Sequence, residues 1–381
     1  MGLQSEYWRA IISGRTIGLA GFSLRRLLWL LRYPYAVGSA LRNALFDVGW
    51  KTIERVDVPV ISVGNLVLGG TGKTPCVEYL ARYYADLGVR VALVSRGYGV
   101  QHGPNDEALL LEENLRDVPH LQDRDRARMA RTAIEELESE LIILDDGFQH
   151  RRLHRDLNIV LVDATNPWGY GYLFPRGSLR EPLSALVRSD LVLITRADQA
   201  SPEFLQAITR RIYQVKRVPV AWARHAAREL RQFAGTVQPV QQLQGKKVAF
   251  FCGIGNPEAF RTTLIALGAE ICAERTYPDH HGYDRDDIHS LQSWAEAQPA
   301  EVMIVTTQKD LVKIRLNQLQ SRPLWALRIG LEFMNGQQEF NGMLQAVLPR
   351  DGVARAASFG PEQQGTNRDG MHGCSHSIYT S

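Results

Sequence analysis

A glycine-rich loop that ends in a lysine and a threonine gives the sequence its clearest chemical signal. The stretch GNLVLGGTGKT occupies residues 64–74, although the strict form of this pattern has glycine where the chain has Val67. Between a strand and a helix, such a loop points several backbone N–H groups at one spot near the positive helix end, which suits phosphate oxygens. Lys73 would reach the outer phosphates of a nucleotide, and the Thr74 hydroxyl would contact magnesium. The predicted nucleotide-binding residues are Gly69, Gly70, Thr71, Gly72, Lys73 and Thr74.

Two carboxylates stand at the end of another apolar run. Asp145 and Asp146 follow the run LIIL directly. In an open α/β sheet, ligands bind at the carboxyl ends of the strands, so these acids would lie beside the glycine-rich loop. There they would hold magnesium directly or through water. An isolated acid pair often only caps the following turn, so the prediction depends on the combination with the loop.

The elements that must position these residues alternate between β-rich and helical runs. Such an alternation of Val/Ile/Leu-rich strands with helices predicts a mostly parallel sheet with helices on both faces. The predicted fold class is therefore α/β, of the P-loop NTPase type. Strands are predicted at 58–63, 89–95, 141–145, 158–163, 190–195 and 218–223, and helices at 75–87, 125–139 and 202–215.

The same alternation starts again after the Gln-rich segment 233–246, which predicts a second, smaller α/β domain. Its strands are predicted at 247–252, 301–306 and 324–328, and its helices near 257–267 and 285–297. The predicted division is an N-terminal basic amphipathic segment at 1–47, a P-loop domain at 48–240, the smaller domain at 245–349 and a tail at 350–381. The tail is expected to be disordered because it has few large apolar residues.

The N-terminal segment is more basic than the rest of the chain. Residues 1–50 contain six arginines and only two acidic residues. In SLRRLLWLLRYPY (23–35) leucines recur at helical spacing, and Pro34 is expected to end the helix. Such a helix is typical of one that lies on an anionic membrane surface, and packing on the protein's own core is an equal alternative. Because arginines interrupt the apolar runs, neither a transmembrane span nor a signal peptide is predicted.

The composition narrows the class of protein. The chain has 381 residues, 45% of them hydrophobic and 22% charged, as in an ordinary globular protein of two or three domains. A net charge of +3 is too small to predict a nucleic-acid partner. The four cysteines are Cys76, Cys252, Cys272 and Cys374, and no two of them have a paired spacing. Neither a disulfide framework nor a zinc site is therefore predicted, and a reduced cytosolic setting fits best.

Further motifs occur in an order that is specific to one family. They are SVGNLVLGGTGKTP (62–75), SRGYG (95–99), LDDGFQHRRLHRDLNIVLVDA (144–164), PRGSLREPL (175–183), CGIGNPEAF (252–260), YPDHHGY (277–283) and TTQKDLVK (306–313). Through these motifs, which span about residues 20 to 345, the chain resembles the tetraacyldisaccharide 4'-kinase family of lipid A biosynthesis.

The resemblance implies a lipid kinase that uses ATP and Mg²⁺. The γ-phosphate of ATP would pass to the 4'-hydroxyl of tetraacyldisaccharide 1-phosphate, and the product would be lipid IV A. The enzyme would work as a peripheral protein on the cytoplasmic face of the bacterial inner membrane, with the lipid and that membrane surface as its partners. Neither a nucleic acid nor an obligate protein partner is expected.

The resemblance also implies roles for individual residues on the nucleotide side. Lys73 and Thr74 match the family's P-loop lysine and magnesium-binding hydroxyl. The residues implied in or around the metal site are Thr74, Asp145, Asp146 and Gln149, and Glu181 of LREP is a further candidate near the metal.

On the acceptor side, the resemblance implies a catalytic base at Asp106 in PNDEALLL, assisted by His280 of the DHH segment rather than by His281. Asn105 and Ala108 depart from the glycine and proline that the family has around this base. A carboxylate suits the role, because a sugar hydroxyl is a poor nucleophile at neutral pH until its proton is accepted.

Two questions stay open at this level. The first concerns the basic groups that follow the acid pair, which are His150, Arg151, Arg152, His154 and Arg155. They either meet the 1-phosphate or membrane headgroups, or form ion pairs with Asp156 or Asp163. Arg96 of SRGYG either stabilises the transferring phosphate or has a structural role, and both interpretations are open. A P-loop ATPase or GTPase that acts as a conformational switch on a protein partner is the alternative function. Such a switch would not need Asp106 or His280.

Overall fold

The computed structural model describes residues 8, 10–14, 18–97 and 106–349. Its principal helices are α1 (Leu19–Asp47), α2 (Lys73–Asp86), α3 (Asp106–Asn114), α4 (Arg126–Leu137), α5 (Pro202–Tyr213), α6 (Pro257–Ala266), α7 (Arg285–Glu296), α8 (Gln308–Ile314) and α9 (Gln337–Gln345). Its strands are β1 (Val60–Asn65), β2 (Val91–Ser95), β3 (His120–Gln122), β4 (Leu141–Asp145), β5 (Leu157–Asp163), β6 (Leu191–Thr195), β7 (Val220–Arg231), β8 (Val237–Pro239), β9 (Lys247–Cys252), β10 (Glu270–Thr276), β11 (Met303–Thr307), β12 (Gln318–Leu319) and β13 (Arg322–Asn335).

In the described part of the chain these strands form one mixed sheet. It has 13 strands in the order β10-β9-β11-β13-β7-β6-β5-β1-β4-β2-β3, with β8 paired to β7 and β12 paired to β13. Most neighbours run parallel, and the long strands β7 and β13 pair antiparallel where the two halves of the sheet join. The predicted α/β class with a mostly parallel sheet is confirmed. The division into two domains stays a prediction, because both halves share this sheet.

Helices cover both faces of the sheet, and the pleat of the strands explains why. Ile61 packs in the core cluster that contains Leu80 of α2, whereas its neighbour Val60 packs with Ala130 of α4 on the other side. Successive residues of a strand point to opposite faces, so a strand buried on both faces must be apolar throughout. Because β1 and β4 pair in parallel, their carboxyl ends lie at the same edge of the sheet. The P-loop and the acid pair, which follow these ends, are therefore beside each other.

The course of helix α1 differs from the prediction in one respect, and the exposure of its side chains bears on whether it packs on the core. Pro34 does not end the helix, which continues for 13 residues beyond it to Asp47. A proline removes one backbone hydrogen bond, and contacts further along the helix compensate: the Tyr35 hydroxyl donates to the Arg180 carbonyl at 3.0 Å, and Asn43 donates to Glu181 at 2.8 Å. The helix does not bury its apolar face in the core. Large apolar residues of α1 are exposed instead: Leu19, Phe22, Leu27, Leu30, Leu31, Tyr33, Val37 and Leu41.

Two further expectations concern the chain ends. Within the described residues, no helix is both long enough and apolar enough to cross a bilayer. The segment 350–381, predicted to be disordered, lies outside the described residues.

Candidate active site

The glycine-rich loop joins β1 to α2, as the sequence predicts. Gly69 and Gly72 have φ angles of +124° and +86°, which L side chains rarely adopt, so glycine is needed at both turns. The buried Asn65 amide fixes the loop from within, donating to the Val67 carbonyl at 2.7 Å and to the Thr71 hydroxyl at 2.9 Å. Lys73 and Thr74 then begin α2, whose free N–H groups face the loop.

Two residues at the end of β6 and one within β7 support the loop from outside. The Thr195 hydroxyl donates to the Thr71 carbonyl at 2.8 Å, and Arg196, which also pairs with Asp163, donates to the Gly70 carbonyl at 2.9 Å. His225 of β7 lies under the turn, where burial lowers its pKa to about 4 and keeps the ring neutral. These contacts hold the loop in shape before any ligand binds.

A substitution at Gly72 tests this packing. A Cβ atom there would lie 2.4 Å from Nε2 of His225, and the positive φ would strain it further. Gly72→Ala is expected to lower the free energy of unfolding by about 1–3 kcal/mol. Gly70→Ala is the matched control, because a Cβ at Gly70 meets no atom within 4 Å. Chemical denaturation measures both, and an equal loss in the two variants would contradict the packing argument.

Asp146 connects the loop lysine to an arginine that the sequence did not single out. Nζ of Lys73 lies 3.5 Å from Oδ1 of Asp146, and Nη1 of Arg180 donates to both carboxylate oxygens, at 2.9 and 2.7 Å. Burial by itself favours the protonated acid, but Lys73 and Arg180 outweigh it, so the pKa of Asp146 is lowered. The carboxylate stays ionised and places two cations beside the loop.

Asp145 differs from its neighbour and suits a metal ion better. Burial raises the pKa of Asp145, and Lys73 only partly opposes this effect. Its buried Oδ1 has no hydrogen-bond partner in the described structure. Such an oxygen is costly to bury unless a ligand satisfies it, so its position beside the phosphate loop fits Mg²⁺ or a water bound to it. Within the described residues, no three His, Cys, Asp or Glu side chains form a metal cage.

The other two predicted metal-site residues have partners within the protein. Gln149 donates to the Asn65 carbonyl at 3.0 Å and so borders the P-loop. Glu181 is buried and accepts hydrogen bonds from Asn43 at 2.8 Å and from Arg188 at 2.6 Å. The Glu181 carboxylate therefore ties α1 to the core. Glu181 also lines the cavity beside Asp146.

A basic cavity of about 700 Å³ lies between α1 and the acid pair. Tyr35 and Ser39 of α1 line one side of it. A histidine, His150, lines the cavity as well, and the positive character comes from five arginines: Arg42, Arg96, Arg124, Arg126 and Arg180. Burial, helped by Arg126, lowers the pKa of His150 to about 4, so this ring contributes no charge. The cavity offers an anion several guanidinium groups next to the P-loop.

Most of the basic segment after the acid pair is structural. Arg151 pairs with Asp47 at 2.6 Å, and Arg152 pairs with Glu54 at 3.0 Å. His154 lies 3.6 Å from Asp156. Asp163, the other predicted partner, binds Arg196 instead. Arg155 instead donates to the His150 carbonyl at 2.7 Å. Of the open alternatives, ion pairing therefore describes Arg151, Arg152 and His154, and of the five groups only His150 lines the cavity.

Asp106 and His280 come together although they are far apart in sequence. Nδ1 of His280 lies 3.0 Å from Oδ2 of Asp106, so the turn after β10 meets the first turn of α3. His281 contacts Asp287 instead, with Nε2 2.7 Å from Oδ2. The hydrogen bond to Asp106 raises the pKa of His280, and burial opposes this effect. Because an ionised carboxylate only accepts hydrogen bonds, Nδ1 must carry the proton.

The site also contains residues that reasoning from the sequence left without a role. Arg180 immediately precedes Glu181 in LREP, so it belongs to a motif that the sequence identified. Its contact with Asp146 could not be predicted from the sequence. Arg196, which directly follows β6, was given no role from the sequence, yet it holds the P-loop. Lys313 lies 2.9 Å from Oδ2 of Asp106. The signal for Lys313 was its place in the TTQKDLVK motif.

Comparisons with known proteins agree with this geometry. Residues 24–349 match the family described as tetraacyldisaccharide-1-P 4'-kinase. A tetraacyldisaccharide 4'-kinase from Anaeromyxobacter sp. (strain K) is 37% identical, over 94% of this chain and 99% of the relative. One from Syntrophus aciditrophicus (strain SB) is 39% identical, over 86% of this chain and 93% of the relative.

A solved structure agrees as well. The crystal structure of LpxK from Aquifex aeolicus in complex with ATP matches with a TM-score of 0.69 and 29% identity, over 85% of this chain and 99% of that chain. With the match along nearly the whole sequence, these likenesses show that the chain belongs to the tetraacyldisaccharide 4'-kinase family.

Proposed function

We propose that this protein transfers the γ-phosphate of ATP to the 4'-hydroxyl of tetraacyldisaccharide 1-phosphate, forming lipid IV A. The observation that carries the proposal is the contact between Asp106 and His280, 3.0 Å apart, in a member of this kinase family. A P-loop alone would serve a nucleotide switch equally well. A carboxylate paired with a histidine is the apparatus that activates a hydroxyl acceptor.

On the donor side, Lys73 and the backbone N–H groups at the start of α2 bind the phosphates of ATP. Phosphoryl transfer needs positioning and charge neutralisation more than covalent chemistry, so these donors supply much of the effect. Asp146 holds Lys73 at 3.5 Å and Arg180 at 2.7 Å, close to where the γ-phosphate would lie. Both cations are thus already in place when negative charge shifts toward the leaving group.

Asp145 and the Thr74 hydroxyl are the residues that would hold Mg²⁺. The ion supplies neutralisation of the phosphate charge. Gln149 orients the P-loop by its bond to Asn65, and Glu181 contributes indirectly by anchoring α1 beside the site.

On the acceptor side, Asp106 is the catalytic base. The hydroxyl oxygen attacks the γ-phosphorus while the bond to the β-phosphate oxygen breaks and ADP leaves. The hydroxyl proton passes to the Asp106 carboxylate. His280 donates a hydrogen bond to Oδ2, which orients the carboxylate and leaves Oδ1 for the acceptor.

The lipid would approach along α1, as expected for a peripheral protein on the cytoplasmic face of the inner membrane. The exposed apolar side chains of α1 stand beside Arg25 and Arg26, a composition that favours an anionic bilayer surface. The basic cavity begins at Tyr35 and Ser39 of the same helix. A lipid held by α1 would thus have its polar head beside the arginines.

Replacing two exposed leucines of α1 tests this membrane contact. Leu30 and Leu41 are 58% and 60% exposed. The double substitution Leu30→Glu/Leu41→Glu is expected to weaken binding to anionic vesicles at least about tenfold, because each buried leucine contributes roughly 1.5–3 kcal/mol. Phe204→Glu/Ile265→Glu is the matched control on α5 and α6, with residues 46% and 45% exposed. Co-sedimentation with vesicles measures both, and equal loss in the two pairs would argue against α1 as the contact.

The proposed reaction is tested by following labelled γ-phosphate. The purified protein is incubated with ATP, Mg²⁺ and tetraacyldisaccharide 1-phosphate, and ³¹P NMR locates the new phosphate on the lipid. We expect a monoester at the 4' position. Inorganic phosphate formed at the same rate with and without lipid would instead indicate a nucleotide switch.

A further inference from the structure

Lys313 occupies a position behind the proposed base that the reaction scheme has not used. Its side chain is only 9% exposed, and its Nζ lies 2.9 Å from Oδ2 of Asp106. The same ammonium donates to the His281 carbonyl at 3.0 Å. It therefore touches both the base and the turn that carries His280.

Asp310 holds this lysine from the other side. Asp310 is fully buried, and its Oδ1 lies 3.8 Å from Nζ of Lys313. Its oxygens also accept hydrogen bonds from the Tyr283 hydroxyl at 3.1 Å, the Thr307 hydroxyl at 2.6 Å and the Gly253 amide at 3.1 Å. A carboxylate fixed by so many donors cannot follow a moving partner, so Lys313 is confined to one place.

We propose that Lys313 is a positioning residue for phosphate transfer, which holds Oδ2 of Asp106 so that Oδ1 is presented to the acceptor hydroxyl. Both Lys313 and His280 bind Oδ2, and no hydrogen bond from the described residues reaches Oδ1. The free oxygen is the one that can take a proton. The inference rests on the proposed function, since it assigns a role within that reaction.

The charge of Lys313 has a second consequence. Burial by itself would raise the pKa of Asp106. The hydrogen bonds and charges of His280 and Lys313 outweigh this effect, so the pKa is lowered. With Lys313 removed, only His280 of these two cations would oppose the effect of burial on the pKa of Asp106. The ionisable groups around this carboxylate are Glu107, Asp279, His280, Lys309, Asp310 and Lys313. Because removal of a nearby cation raises a carboxyl pKa, the acidic limb of the rate profile must move to higher pH.

Lys313→Met is the test. We expect kcat for lipid phosphorylation to fall about 100-fold and the acidic limb of kcat to move up by about one pH unit, with KM for ATP unchanged. Lys313→Arg restores the charge, so it should recover part of the rate and the original limb. Lys247→Met is the control for the loss of one positive charge, since Lys247 begins β9 and pairs with Glu301 at 3.8 Å. It should keep the wild-type kcat and acidic limb.

A double-substitution cycle separates positioning from a merely structural role. If Lys313 acts through Asp106, Lys313→Met should cost little, within about twofold, once Asp106→Asn is present. An additive loss in the double variant, or an unshifted acidic limb in Lys313→Met, would overturn the proposal. Thermal denaturation and ATP titration show whether each variant is folded. Failure of the wild-type protein to phosphorylate the lipid would refute the proposed function instead, so the two failures are distinct.

Discussion

Asp106→Asn is expected to lower kcat for lipid phosphorylation about 1,000-fold while ATP still binds. An amide cannot accept the hydroxyl proton, and general bases contribute about 100- to 10,000-fold to such rates. The fold should survive, because asparagine has the size of aspartate and can still accept a hydrogen bond from His280. Transfer of labelled phosphate to the lipid measures the loss, and isothermal titration measures ATP binding.

The matched control for this variant is Asp117→Asn, which makes the same change at an exposed carboxylate beyond the end of α3. It should retain wild-type transfer. If Asp106→Asn transferred phosphate within about tenfold of the wild-type rate, Asp106 would not be the base, since that loss is below the range of general-base effects.

Lys73→Met is expected to lower kcat by about 100- to 1,000-fold and to weaken ATP binding as well. The ammonium neutralises charge on the phosphates as the γ-phosphate leaves, and loss of one such electrostatic contact costs about this much. The substitution also removes one of the cations that keep Asp146 ionised, and leaves Arg180 and Arg126. The combined effect on kcat and on ATP affinity distinguishes this variant from Asp106→Asn.

Lys247→Met controls for the loss of one positive charge. Lys247 is half exposed and pairs with Glu301 at 3.8 Å, in a strand of the other half of the sheet. We expect wild-type kinetics from it. Unchanged ATP affinity and kcat in Lys73→Met would mean that the glycine-rich loop does not bind the nucleotide.

The buried strands could be predicted from the sequence because their apolar runs have one interpretation in an α/β chain. β4 was predicted at its observed bounds, Leu141–Asp145. β10 was missed, because Glu270–Thr276 forms an edge strand with alternating exposed and half-buried residues and lacks a continuous apolar run. β7 and β13 were predicted too short for a similar reason. Their extensions pair with each other antiparallel and keep charged residues such as Arg224 and Glu332.

Helix α1 shows where a local rule gives way to tertiary contacts. Pro34 carries a real local cost, yet contacts from Tyr35 and Asn43 to the core hold the residues after it. Such contacts join residues more than 100 positions apart and leave no trace in local periodicity.

The candidate site was predictable wherever residue type and strand position coincide. The P-loop and the acid pair lie where strands end, so both could be located from the sequence. The contact of His280 with Asp106 could be named only through the family resemblance, since 174 positions separate the two residues. Arg180 and His225 depend on how separate segments pack, and their roles became visible only in the structure.

Family membership also bears on the alternative function. A switch ATPase or GTPase would share the P-loop, but the chain belongs to a family named for a lipid kinase. The alternative is therefore not favoured.

The measurement that tests the central claim most directly compares lipid phosphorylation with lipid-independent ATP hydrolysis in the wild-type protein and in Asp106→Asn. We predict that label from γ-phosphate reaches tetraacyldisaccharide 1-phosphate in the wild type and that transfer falls about 1,000-fold in the variant. ATP hydrolysis that needs no lipid and is equal in both proteins, without label in the lipid, would contradict the assignment of this site to a lipid kinase.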